Sequence, residues 1–166
     1  LSIVGTGGMA KYHAIQFKKI KDCIITACCD INRERAENFA KEHGINAVYS
    51  DYKKMLRDSE IDAVSVVTSD DYHAPVSISA LNAGKHVLCE KPISTNLHDA
   101  LRMVNSAKKS GKINMINFGY RCAPAAVKAA QLVREGKLGK IRHVEASYLQ
   151  SWIVLSNPDD LSGCWR

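Results

Sequence analysis

The sequence has no apolar run approaching the ~18 residues that a membrane-spanning helix needs, no collagen-like glycine period and no low-complexity tract. Proline is scarce, with four residues in all, and no Pro-rich linker divides the chain. Aromatic residues make up only 7% and are not interleaved with basic ones in the manner of a single-strand nucleic-acid binder. The six cysteines include no CxxC pair, and His13, His43, His86, His98 and His143 show no metal-ligand spacing. No helix-turn-helix spacing, Walker loop or Ser/His/Asp arrangement is readable. Membrane-spanning, fibrous and wholly disordered chains are thereby excluded. No metal site is expected, those histidines read as surface or packing residues, and neither nucleic acid nor membrane is an expected partner.

What is present is 46% hydrophobic and 24% charged residues over 166 positions. At ~150 residues per domain this reads as one globular domain burying roughly 70% of its unfolded surface, and two complete domains would be cramped. Cys23, Cys28 and Cys89 lie in or beside apolar, strand-like runs, while Cys29, Cys122 and Cys164 complete the set. Free thiols in a reducing compartment fit this better than disulfides. Vicinal Cys28-Cys29 reads as one buried thiol and one packed against a helix, not as a redox pair. The start Leu1-Ser2-Ile3-Val4 runs into glycines without the basic region or apolar stretch of a signal peptide, which makes the cytoplasm the expected location. The net charge is +6, yet residues 102–142 hold ten Lys/Arg and one acid, Glu135. Solvated helix faces, or a surface covered by a partner or by further chain, account for such a patch.

Short β-type runs alternate with helix-length amphipathic segments, the pattern of a parallel sheet covered by helices. Strands are predicted at 1–4, 23–29, 47–49, 62–67, 86–89 and 113–116, nearly all apolar, as strands buried on both faces should be. Pro75 in a first turn, then Val76, Ala80 and Ala83, and Gly84 where a left-handed residue is wanted, predict a helix over 74–83. Another is predicted from Thr95 or Asn96, with Asp99 complementing the helix dipole. Its apolar stripe would be Leu97, Leu101 and Val104, and Lys108-Lys109 precede Gly111. A further helix runs from near Pro124 to Gly136. Residues 141–148 alternate like a half-exposed strand and are followed by Trp152, Asn157-Pro158 and Trp165-Arg166, which reads as the opening of a second domain. A strand left open at that edge is an aggregation liability, so the chain is expected to be part of a longer protein.

Directly after the first strand stands Gly5-Thr6-Gly7-Gly8-Met9-Ala10, a GxGxxA loop opening a helical pattern of Ala10, Ala14 and Phe17. In a dinucleotide site Gly5 permits the tight turn, Gly7 lets backbone approach a pyrophosphate, and Ala10 allows close helix–strand packing. The free N–H groups of the helix start then face the anion. An ordinary tight strand-to-helix turn is the competing reading. Asp30 ends the second strand, 25 residues after Gly5, where an acid accepts hydrogen bonds from an adenosine ribose diol and repels a 2′-phosphate. That favours NAD over NADP, while Arg33 and Arg35 keep NADP open. Helix capping is the alternative role for Asp30, and the two can coexist.

The stretch Ala83–Pro92, AGKHVLCEKP, has a buried strand deliver Glu90-Lys91-Pro92 at its carboxyl end, where ligands of open α/β sheets collect. Near a positively charged nicotinamide and partly desolvated, an amine there has its ammonium form disfavoured and can exchange a proton near neutral pH. A surface Glu-Lys pair of little energetic consequence is the alternative.

Together these residues resemble the glucose–fructose oxidoreductase/inositol dehydrogenase (Gfo/Idh/MocA) family of NAD(P)-dependent oxidoreductases. The resemblance is carried by Gly5–Ala10, by Val66-Val67-Thr68-Ser69-Asp70-Asp71-Tyr72-His73, by Ala83–Pro92, and by Asn117-Phe118-Gly119-Tyr120-Arg121 followed by Gly136–Ile141. It implies an α/β fold: a Rossmann doubly wound parallel sheet over residues 1–120, then over 121–166 a connecting helix and the first strand of an incomplete α+β substrate domain. NAD is the implied cofactor, with NADP the alternative. The implied cofactor-binding residues are Gly5, Thr6, Gly7, Gly8, Met9, Asp30, Arg35, Thr68, Asp70, His73, Glu90 and Arg121, with Thr68 and His73 on the nicotinamide side. Lys91 carries the implied catalytic role as proton donor and acceptor, and Glu90 orients cofactor or lysine.

Two features depart from the family pattern. Thr68-Ser69-Asp70 stands where Thr-Pro-Asn is usual, setting an acid beside an anionic cofactor, and the Asp-x-x-x-His motif of the second domain does not occur in the chain. The implied function is hydride transfer between nicotinamide and a secondary alcohol or ketone of a sugar, polyol or related small molecule, by a protein that is a homo-oligomer when full length. NAD-dependent glycoside cleavage and a non-catalytic cofactor-binding module remain as alternatives.

Overall fold

Ile3 and Val4 are consecutive in a strand, so they point to opposite sides, yet both are enclosed, at 0% and 3% exposure. Both faces of the strand must therefore be covered. The computed structural model, which describes residues 1–149, shows how. Six strands, β1 (Ser2–Val4), β2 (Ala27–Cys29), β3 (Ala47–Tyr49), β4 (Ala63–Val66), β5 (His86–Cys89) and β6 (Asn114–Ile116), form one wholly parallel sheet. Their spatial order is β3-β2-β1-β4-β5-β6, the doubly wound arrangement whose direction of winding reverses between β1 and β4.

Helices α1 (Gly8–Phe17) and α2 (Arg33–His43) cover one face, where Ala10, Ala14, Ala36 and Phe39 pack on Ile3 and Cys28. Helices α3 (Tyr52–Met55), α4 (His73–Asn82) and α5 (Leu97–Ser110) cover the other, where Met55, Val76, Ala80 and Met103 pack on Val4, Cys29 and Val66. Cys28 and Cys29 thus belong to different cores and are both free. Helix starts follow the local chemistry of the sequence: Asn32 Oδ1 accepts from Arg35 N at 2.9 Å, and Asn96 Oδ1 from Asp99 N at 2.9 Å.

Three expectations are corrected. The strand predicted over 23–29 is confined to Ala27–Cys29, because its neighbour β1 pairs only through Ser2–Val4; Ile24 is 72% exposed. The stripe Leu97, Leu101, Val104 does not face the core. These residues are exposed, and α5 packs through Met103 and Ala107 instead. Periodicity shows that a helix has an apolar side, but which flank meets the sheet depends on how α5 lies against α4. Finally, residues 141–149 carry no strand. A strand exists through its ladder, and none of the described strands pairs with this segment.

Residues Leu1–Phe118 make up one unit, and a second begins at Gly119. The second holds α6 (Pro124–Arg134), with proline in its first turn, and a 3-10 turn at Gly119–Cys122. Within it the Tyr148 hydroxyl donates to that of Tyr120 at 2.6 Å. Trp152, Asn157-Pro158, Cys164 and Trp165-Arg166 lie outside the described residues. No helix among the described residues is long and apolar enough to cross a membrane.

Candidate functional site

Parallel strands bring all their carboxyl ends to one edge. Val4 is in register with Cys29 and Val66, Val66 with Cys89, and Cys89 with Ile116. Gly5, Asp30, Val67, Glu90 and Asn117 therefore form the next row, and the ladder continues into it through their N–H groups at 2.7–3.1 Å. Val4, Cys29, Val66 and Cys89 face the α4 side, so by strand alternation this next row faces α1. The ends of β1 and β5 are two strand spacings apart, about 10 Å, which one extended dinucleotide spans.

The glycine loop occupies the β1 end. Gly5 has φ +89°, and a Cβ there would lie 2.5 Å from the Val67 carbonyl oxygen, so only glycine fits. Gly7 and Gly8 differ: a Cβ on either would meet no protein atom within 4 Å. Among the described residues nothing requires them to be small, and the open space lies at the N-terminus of α1, whose first N–H groups lack helical acceptors. Met9 is exposed beside them. Thr6 turns inward, its N and Oγ1 both donating to Asp30 Oδ2 at 2.8 and 2.9 Å.

Asp30 is buried and ties β2 to this loop. Its Oδ1 accepts from Asn32 N at 2.9 Å and from Arg35 Nη2 at 2.6 Å, and Oδ2 accepts from Arg35 Nε at 3.1 Å. Burial opposes ionisation, but the hydrogen bonds from Arg35, Asn32 and Thr6 outweigh it and hold the carboxyl below its ordinary range. The side chain that caps α2 is Asn32, not Asp30.

Two cavities flank this point. One of about 210 Å³ is lined by Asp30, Ile31, Tyr52, Thr68 and Tyr72, and Thr68 Oγ1 is buried beside it with no hydrogen-bond partner. The other, about 460 Å³, is lined by Gly7, Gly8, Lys11, Asn32 and Arg35. An orphaned hydroxyl, an apolar and aromatic slot, two glycines whose smallness serves no internal contact and an open helix start together fit a dinucleotide.

At the β5 end Glu90 is buried. Its Oε1 accepts from His13 Nε2 at 2.9 Å and from Asn117 Nδ2 at 2.6 Å, and its Oε2 from Lys91 N at 3.2 Å. Burial again opposes the charge, and these donors overcome it, pulling the carboxyl down to about 2. His13 Nδ1 lies 2.9 Å from Ser65 Oγ. Lys91 is half-buried and is joined to Pro92 by a cis peptide.

The remaining candidates divide. Thr68 follows β4, which stands between β1 and β5, and it lines the cavity that also takes in Asp30. His73, also expected to line the site, is instead 1% exposed with Nδ1 2.6 Å from the Pro92 carbonyl and Nε2 3.2 Å from that of Thr68. It holds two segments of the crevice together without presenting a free nitrogen to it. Asp70 is half-buried in a 3-10 turn, Asp70–Tyr72, and Arg121 is exposed in the second unit.

Sequence reading gave His13 only a surface or packing role, quoted Asn117 without assigning it one, and passed over Ser65. A signal was present: Ala10, His13, Ala14 and Phe17 recur at +3, +4 and +7, which puts a histidine on the sheet-facing side of α1.

Residues 1–118 match the model of an oxidoreductase family with an NAD-binding Rossmann fold, Gfo/Idh/MocA. Among curated relatives, a myo-inositol 2-dehydrogenase of Thermotoga maritima is 33% identical over 140 residues, 84% of this chain and 42% of that protein. A levoglucosan dehydrogenase of Pseudarthrobacter phenanthrenivorans is 29% identical over 160 residues, 92% of this chain and 41% of that protein. The solved scyllo-inositol dehydrogenase of Lactobacillus casei with bound NAD(H) and scyllo-inositol superposes with a TM-score of 0.79 at 32% identity, over 84% of this chain and 42% of that one. The chain thus spans less than half the length of the proteins it matches. A parallel sheet in the order that binds dinucleotides, a glycine loop at its switch point and a family model matched from residue 1 to residue 118 lead to one assignment: the chain belongs to the Gfo/Idh/MocA oxidoreductases and carries their NAD-binding Rossmann domain.

Proposed function

We propose that the protein is an NAD(P)-dependent oxidoreductase that interconverts a secondary alcohol and a ketone on a sugar, polyol or related small molecule. The observation that carries this reading is that the glycine loop and Lys91 stand on one sheet edge, two strands apart, with α1 joined directly to the residue before Lys91 through His13 and Glu90. Relatives named for inositol and levoglucosan support the substrate class. The same reading has the full-length protein assemble from identical copies, and the free, buried Cys28, Cys29 and Cys89 support a reducing compartment, the cytoplasm.

In this reading Gly7, Gly8 and the start of α1 hold the pyrophosphate, and the cavity beside Asp30, Tyr52 and Thr68 takes the adenosine end. When bound, the nicotinamide supplies a hydride acceptor or donor. Lys91, as its neutral amine, takes the substrate hydroxyl proton onto Nζ during oxidation and returns it during reduction. Glu90, charged and hydrogen-bonded through both oxygens, fixes the backbone of Lys91 through the 3.2 Å contact to its N–H.

The test is a panel of polyols and sugars with the full-length protein and its Lys91→Ala variant. Steady NADH formation with a polyol is expected, and Lys91→Ala should lower turnover by ~100-fold or more with NAD affinity nearly intact. Full activity in the variant would remove Lys91 from the reaction. Release of an aglycone without net NADH would replace the dehydrogenase reading with glycoside cleavage, and cofactor binding without turnover across the panel would replace it with a binding module.

A further inference from the structure

Glu90 N–H donates to the Val66 carbonyl at 2.9 Å, and beyond it the chain leaves the sheet and runs irregularly until α5 begins at Leu97. Among the described residues, no backbone-to-backbone hydrogen bond engages residues 92–95. The turn that carries Lys91 is held by two buried side chains, one on each side of the sheet. On the α1 side, Glu90 is fixed by His13 and accepts from Lys91 N at 3.2 Å. On the α4 side, the His73 ring reaches the Pro92 carbonyl, 2.6 Å from Nδ1.

The second clasp has a firm base. His73 opens α4, is 1% exposed, and stands on a helix whose Val76 and Ala80 are packed in the core. Its Nε2 lies 3.2 Å from the Thr68 carbonyl, and Val67, the residue before Thr68, donates its N–H to the Val4 carbonyl at 2.8 Å. Carbonyl oxygens only accept, so the ring must donate to each contact it makes. Through the shorter of the two contacts, the residue next to Lys91 is joined to a helix that the sheet already holds.

A lysine amine rides on a flexible four-carbon stem, so its reach toward a reacting hydroxyl depends on where its backbone is set. A misplacement of about 1 Å costs a reacting group on the order of 100-fold in rate. We propose that His73 is a positioning residue for the reaction: by clasping the Pro92 carbonyl it sets Lys91 at the distance that proton transfer requires, without itself meeting nucleotide or substrate. The inference rests on the role given to Lys91 in the function proposed above.

The test measures kcat, KM for the alcohol and the NADH dissociation constant on the full-length protein and its variants. Asparagine places an amide nitrogen near the position of Nδ1 and glutamine near that of Nε2. His73→Asn therefore keeps a donor for Pro92, and His73→Gln keeps one for Thr68. His73→Gln should lower kcat by ~10-fold or more with NADH affinity within about threefold, while His73→Asn should retain kcat within about threefold. In a Lys91→Ala background His73→Gln should cost nothing further, because a clasp beside a missing amine positions nothing. Unchanged turnover in His73→Gln overturns the proposal. Equal losses in the two histidine variants, or the same loss repeated in the Lys91→Ala background, overturn it in favour of a merely structural role. Should circular dichroism show the glutamine variant unfolded, His73→Asn decides, and a loss of ~10-fold or more in it overturns the proposal. Failure of the unaltered protein to oxidise any polyol or sugar, or full activity in Lys91→Ala, overturns the function reading and this inference with it, whereas Lys91-dependent turnover that ignores His73 overturns the inference alone.

Discussion

His13 Nε2 lies 2.9 Å from Glu90 Oε1 across 77 residues of sequence, with both side chains almost wholly buried. Ionised Glu90 needs donors, so the imidazole carries a proton on Nε2, while its Nδ1 lies 2.9 Å from the Ser65 hydroxyl. Asn117 Nδ2 supplies the second donor to Oε1. The helix that opens at the glycine loop is thereby fastened to the residue preceding Lys91.

His13→Ala leaves a buried carboxylate short of a donor and should cost about 2–4 kcal/mol of stability, read from urea unfolding. His13→Gln, whose amide can still donate, should cost clearly less. Equal losses in the two variants would mean that the ring matters for its packing against Phe17, 5.9 Å away between centroids, and not for its hydrogen bond.

Stability should fall in acid with a defined origin. Glu90 titrates at about 2 in the folded chain because its donors outweigh burial, against ~4.3 when unfolded. A carboxyl lowered by folding contributes its stabilisation above the unfolded value and loses it as pH drops through the folded one. Glu90 thus contributes on the order of 3 kcal/mol near neutrality that disappears between about pH 5 and pH 2. Asp30, also lowered, titrates on the same limb. Unfolding free energies measured against pH should show a shallower acid limb in Glu90→Gln, and parallel limbs would contradict the assignment.

Gly5→Ala and Gly7→Ala should separate folding from binding. At Gly5 the new methyl group meets the Val67 backbone at 2.5 Å and φ is +89°, so the fold should lose several kcal/mol, roughly 3 or more. At Gly7 the backbone is ordinary, φ −77° and ψ −165°, and the methyl group meets nothing. Its loss should be about 1 kcal/mol or less, while NADH affinity falls ~10-fold or more because the pyrophosphate needs that space. Thermal melting and fluorescence titration of both variants check the contrast.

Thiol reagents should distinguish the cysteines. Among the described cysteines Cys122 is exposed and should react first, ahead of half-buried Cys23. Burial pushes the thiols of Cys28, Cys29 and Cys89 up to about 11, 12 and 11, with nearby carboxylates adding to the effect, so these should react only on unfolding. Peptide mapping after timed alkylation gives the order.

The alternation of strands and helices, the GxGxxA turn, a helix start at Thr95 or Asn96 with Asp99 in its first turn, and the position of Lys91 at a strand end were legible in the sequence, because each is made by residues within a few positions of one another. The parallel sheet followed from the alternation of runs in the same way, and the doubly wound class came with the family resemblance. The stripe on α5 failed for the converse reason. Leu97, Leu101 and Val104 satisfy the helical period, yet the core takes Met103, since the flank that is buried depends on a neighbour 20 or more residues away.

By itself, then, the amino-acid order determined the local devices: where the chain turns, where helices begin, and which residues stand at the carboxyl ends of strands. Only the packed sheet decided what those residues meet. His13 reaches Glu90 because β4 and β5 follow β1 in space and because the residue after Cys89 turns toward α1. Arg35 closes on Asp30 because α2 starts directly beside the β2 end. Periods of two and 3.6 announce that a face exists, but its partner is chosen by strand order, which is a property of the whole sheet.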